Sequence, residues 1–167
     1  MLRSALLLFA AVASAQPPEL GQGWLAEFNL ASRQILQLAE AMPAEKYAWR
    51  PGPGVRSTSE VFMHVAIGNY YLLDQAGAPI PDNTPDIAPG LEKKVTSKAD
   101  VIAWLKRSAD AVRAGYAKAD RTKKLKFFGK DTTSDNVFLR LLVHNHEHMG
   151  QAIGYARMNG VKPPWSN

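Results

Sequence analysis

The chain has no cysteine. That absence excludes disulfides, lipid attachment through a cysteine, thiol nucleophiles and thiolate metal ligands. Long apolar runs are missing too. Past the first fifteen residues, nothing approaches the ~20 apolar residues that a membrane-spanning helix needs. Strand-length alternation of polar and apolar residues is scarce, which turns the fold class toward helices. Charge is not concentrated. The formal net charge is +5, yet the densest basic run is only Arg121-Thr122-Lys123-Lys124-Leu125-Lys126. A run so short and solitary reads as a solvated loop and argues against nucleic-acid binding. Finally, no Asp or Glu follows Glu147, a gap that limits what the last helix can do.

What is present suits one domain. The chain has 167 residues, 46% of them hydrophobic, enough for a real core. Met1-Leu2-Arg3 is a short positive start, followed by the apolar Ala5–Val12 and the small-x-small pattern Ala13-Ser14-Ala15. This predicts a signal peptide over residues 1–15, cleavage before Gln16, and an exported protein, periplasmic or extracellular. Residues 16–167 are then the folded domain, with no stable membrane insertion.

Within that domain the apolar spacing predicts four helices. The first runs from about Leu20 to Met42, with Trp24, Leu25, Phe28, Ile35, Leu38 and Ala39 inward, and Pro43 stops it. Ser57-Thr58-Ser59-Glu60 is a capping box that opens the second, which runs to about Ala76 with Gly77 as its stop. Val61, His64, Val65, Gly68, Tyr71 and Leu72 form its stripe. Residues 78–96 form a proline-rich connection across the surface. Ser97 caps a third helix to about Ala119, with Val101, Ile102, Leu105, Ala109, Val112 and Tyr116 inward. Leu125–Phe128 is a short extended piece. The fourth helix starts near Ser134 or Asp135 and ends before Gly160; its stripe holds Val137, Phe138, Leu141, His144, His148, Gln151 or Ala152, and Tyr155. Four helices without strands make an all-α four-helix bundle.

Three of the four histidines lie in His144-Asn145-His146-Glu147-His148. His144 and His148 are four apart, so on a helix they share a face and can share a metal ion. His146 is turned away from them. His64 sits on the inward stripe of the second helix, with Gly68 one turn later leaving room beside its ring. Three neutral imidazoles would make an open site with a coordination position for water or substrate. Nitrogen donors suit zinc, nickel, copper or ferrous iron rather than magnesium or calcium. Such binding should weaken as protons compete below about pH 6.5. The run also reads His-x-x-Glu-His, a protease motif with Glu147 as base, but its third ligand is a later carboxylate, and none follows.

Tyr47-Ala-Trp-Arg-Pro51, then Val55-Arg-Ser-x-x-Glu-Val-Phe-Met-His-Val-Ala66, and the ending His-Glu-His-Met-Gly-Gln-Ala-Ile-Gly-Tyr-Ala-Arg-Met-Asn-Gly-Val-Lys-Pro-Pro-Trp-Ser resemble the DinB-like, or YfiT-like, metalloenzyme superfamily. The resemblance spans the chain after the signal peptide. It implies a four-helix bundle holding a divalent metal (zinc, nickel or iron) through His64, His144 and His148, and a homodimer. Some relatives are thiol-dependent transferases or isomerases using a cytosolic thiol; the export signal departs from them. Two functions follow. One is a metal-dependent hydrolase or transferase acting on a small molecule, with Glu147, Gln151, Tyr71 and Tyr155 as supporting groups and Gln151 the best placed. The other is a non-catalytic exported metal- or ligand-binding module. Neither substrate nor reaction is legible.

Overall fold

The computed structural model describes residues 23–166. The expected signal peptide, the leader after it and the predicted helix start at Leu20 lie outside the described residues. Four long helices are present: α1 (Trp24–Ala41), α2 (Thr58–Gln75), α4 (Lys98–Lys118) and α5 (Ser134–Met158). A one-turn helix, α3 (Leu91–Lys94), sits in the proline-rich connection, and a hairpin, β1 (Lys124–Phe127) with β2 (Lys130–Thr133), precedes α5. The one-turn helix is an addition to the expected four helices; β1 falls on the extended piece expected at Leu125–Phe128, and its pairing with β2 is what the sequence did not suggest. The hairpin is antiparallel, with Phe127 opposite Lys130. Lys124-Leu125-Lys126-Phe127 does alternate, but over four residues, too short to stand out.

The boundaries follow local chemistry. At α2 the Ser57 hydroxyl accepts from the Glu60 amide, and the Glu60 carboxylate accepts from the Ser57 amide. Ser57 thus satisfies one end of the helix and Glu60 the other half of the box. Gly77 ends the helix at a φ of 64°, where a side chain would be strained. Ser97 caps α4 and Thr133 caps α5, each accepting from an amide three residues on.

The helices form a bundle in which α2 packs on α4 and α5, and α1 packs on the same two from the other side. Phe28, Ile35, Leu38, Val61, Phe62, Val65, Leu73, Val112, Phe138 and Leu141 fill the core. Burying each large apolar side chain contributes about 1.5–3 kcal/mol, which is what holds the bundle against chain entropy. The Trp24 indole stacks on Tyr116 and Phe28, and its N–H donates to the Phe138 carbonyl at 2.9 Å, pinning α1 to α5.

Two residues expected inward are exposed. Leu25, next to Trp24, is turned off the packed face. Tyr71 is 46% exposed because the groove beside the histidines is open there. The core also holds polar residues that apolar patterning passes over. Asn145 donates to Asn69 at 2.8 Å, Asn69 donates to Ser108 at 3.2 Å, and Ser108 donates to the Leu105 carbonyl. This buried chain ties α5, α2 and α4 together one residue away from His144.

Candidate metal centre

Helix α2 supplies His64 and helix α5 supplies His144 and His148. The bundle brings them together: one ring nitrogen from each falls within a group no more than 4.8 Å across. His64 and His144, eighty residues apart, approach at 3.2 Å between their Nε2 atoms. The rings stand edge to face, with His148 centred 4.5 Å from each of the others. His146 lies on the opposite side, exposed, with its Nδ1 against the Leu142 carbonyl of its own helix.

The outward nitrogens show which atoms face the centre. The Glu92 carboxylate can only accept, so His64 Nδ1–H donates to it at 3.0 Å and Nε2 carries the lone pair. Arg56 holds the other oxygen of Glu92 at 2.6 Å. For His148 a longer chain settles the tautomer. The Tyr155 hydroxyl donates to the Arg56 carbonyl at 3.0 Å, which can only accept. Tyr155 therefore accepts from Gln151 Nε2 at 3.2 Å, and the Gln151 carbonyl is left to accept from His148 Nδ1–H at 3.0 Å. His148 Nε2 is then bare as well. Both orienting chains end on Arg56, one on its side chain and one on its backbone.

His144 is held differently. Its Nδ1 is buried with no hydrogen-bond partner. The ring lies against Gly68 instead. A Cβ at position 68 would collide with the His144 ring carbon Cε1 and come within 2.9 Å of its Nδ1. Gly68 is thus the slot for His144.

Burial, first, and then the neighbouring His148 and His64 push the His144 imidazole down to about 4. Burial and the Arg56 charge also lower His64, against the opposing pull of Glu92. Both are neutral at pH 7. Two neutral rings with Nε2 atoms 3.2 Å apart need something positive between them. A proton on His144 Nε2, donated to His64, meets that need in one form. A metal ion meets it in the other: tetrahedral ligation at about 2.0–2.1 Å spaces ligand nitrogens by about 3.3 Å. The donor set, the 3.2 Å spacing of His64 and His144 and the glycine slot fit a divalent metal ion.

The other sequence candidates separate. Gln151 touches His148, and Tyr155 supports Gln151. Glu147 is exposed and pairs with Arg140 at 2.9 Å on the helix surface, so it does not act as a base beside the three rings. Tyr71 lines a cavity next to the site. Arg56 and Glu92 escaped sequence reading, because neither lies on a helical stripe; Arg56 is a loop residue and Glu92 arrives on one-turn α3.

The sequence model of the DinB superfamily matches residues 27–152. The chain belongs to the DinB superfamily. A DinB-like protein from Bacillus cereus ATCC 10987 is similar in structure, with a TM-score of 0.72 at 20% identity, over 88% of this chain and 97% of that one. The DinB-like protein YjoA of Bacillus subtilis gives 0.64 at 16% identity, over 83% and 92%. At such identities these two likenesses speak for the fold. A search of curated proteins finds no match. No described helix is long and apolar enough to cross a membrane.

Proposed function

We propose that this DinB superfamily member is an exported protein that binds one divalent metal ion through His64, His144 and His148, and that it is an enzyme of the hydrolase or transferase type. The observation that carries the metal site is the convergence of three imidazoles whose inward nitrogens are bare or need a positive partner. Export rests on the N-terminal pattern alone, and the intact mass of the exported chain, beginning at Gln16 or at Met1, checks it.

An ion held there supplies Lewis-acid chemistry, lowering the pKa of a coordinated water or thiol or polarising a carbonyl. The protein's residues do the rest. Glu92 and Gln151 keep His64 and His148 in the Nδ1–H tautomer, and their fixed geometry limits reorganisation. Gly68 keeps His144 in line. His64 and His144 open onto a cavity of about 400 Å³ that a small molecule can enter. A larger space of about 620 Å³ lies between α1 and α4, lined by Asn29, Ser32 and Arg113 and remote from the histidines, so it has no part in this chemistry.

Elemental analysis of protein purified without added metal should find about one divalent ion per chain. Replacing His64, His144 or His148 with Ala should sharply reduce occupancy, while His146→Ala should not. Because burial holds His144 at about 4 and His64 below its ordinary value, protons should compete with the ion for those two rings only at lower pH than for an ordinary histidine. Loss of metal in His146→Ala with retention in His144→Ala would remove the site.

A further inference from the structure

The tip of the hairpin breaks two local rules at once. Phe128 has a φ of 48° and Gly129 a φ of 76°, a two-residue turn with both centres left-handed. Such turns favour Asn-Gly, and a bulky residue at the first position is strained. The same Phe128 ring is 79% exposed, in a protein whose other phenylalanines are buried or half-buried among the described residues. Strain and exposure together cost stability, and departures of this kind concentrate at functional positions. Phe127 and Phe128 lie with ring centroids 4.3 Å apart. They form one wall of the 400 Å³ cavity that reaches His64 and His144. Ile67, Tyr71 and Leu72 of α2 form another wall, which explains why Tyr71 is left uncovered.

One cation lines this cavity, Arg140. Its contact with Glu147 uses one terminal nitrogen, at 2.9 Å, and both side chains are about half exposed. An ion pair so exposed is held weakly and can be exchanged. The guanidinium fork matches a carboxylate. On the far side of the histidines, the polar cavity lined by Arg50, Arg56 and Lys93 is less available, because Glu60 and Glu92 already pair with two of those cations.

We infer that the Phe127-Phe128 tip, Tyr71 and Arg140 form a binding site for a small carboxylate with a flat apolar body, lying against His64 and His144. This rests on the metal-site reading above and names the substrate class for it. The rings grip the flat body, and Arg140 and the metal end hold the charge.

The test uses 2-naphthoate and acetate as probes, titrated calorimetrically into the full folded domain with and without metal. The metal-loaded protein should bind 2-naphthoate at least about tenfold more tightly than acetate, the margin expected from burying an aromatic body. Phe128→Asn suits the turn and should fold at least as well; it should lose that margin while metal affinity stays unchanged. Arg140→Gln should weaken 2-naphthoate in the metal-free protein. If the wild type takes up no metal, the metal reading fails, and the metal-free titration still decides this one. Equal affinity for the two probes, or an unchanged margin in Phe128→Asn, overturns it. The hairpin also carries Lys124, Lys126 and Lys130. If Phe128→Asn abolishes sedimentation with phosphatidylglycerol vesicles but spares 2-naphthoate binding, the tip is a membrane contact and the proposal falls.

Discussion

At position 68 any side chain competes with the His144 ring. In a helix interior Ala is better than Gly by about 1 kcal/mol, so helix propensity alone favours Gly68→Ala. The added methyl would, however, sit against Cε1 and Nδ1 of His144. The ring yields by turning out of the centre, since no hydrogen bond at its Nδ1 holds it in place. Gly68→Ala should therefore lower metal affinity by about 10–100-fold, the usual cost of disturbing a ligand's support. Melting of the metal-free protein should change little. Unchanged affinity by metal titration would show that the slot is not needed. The pair His144 and His148 was legible from spacing alone, because four residues is one helical turn. Gln151 was legible for the same reason, being three residues from His148. The supports from Arg56 and Glu92 were not, because a loop and a one-turn helix carry no period that points at a site.

At the scale of elements, capping chemistry made most boundaries readable. Ser57, Ser97, Gly77 and Pro43 each act on neighbouring backbone groups, so a window of a few residues contains the whole cause. The hairpin needs pairing across a turn that holds Phe where Asn is usual, and that signal is absent from the sequence. The box at α2 also gives a pH test. Burial raises the Glu60 carboxyl, but the Ser57 amide, the Arg50 hydrogen bond and nearby positive charge outweigh it and hold it below its ordinary value. A carboxyl lowered in the folded state stabilises above its unfolded pKa of about 4.3, and that contribution is lost as pH falls through the folded value. Metal-free wild type should therefore lose stability below about pH 4.3 more steeply than Glu60→Gln, which should also be less stable at pH 7. Parallel acid melting curves for the two proteins would count against the carboxylate's role.

At the scale of the whole molecule, the bundle's order turns distant residues into neighbours. Helices α2 and α5 pack along their length, and His64 meets His144 one step from the buried Asn69–Asn145 bond. Periodicity put His64 on an inward face without saying which helix it would meet; the family resemblance supplied that partner. A metal ion at this point would be a cross-link between two helices of the core, made only when both are folded. It must then stabilise the native state by mass action. With free metal at about 100 times its dissociation constant the gain is about 2.7 kcal/mol, a melting rise of roughly 5–11 °C for a domain of this size. Chelation should reverse the rise. His144→Ala should abolish it, since the remaining two imidazoles, one on each helix, are too few to hold the ion, whereas His146→Ala should keep it in full. A rise of the same size in His144→Ala would mean that metal stabilises the protein elsewhere, and the cross-link between α2 and α5 would have to be abandoned.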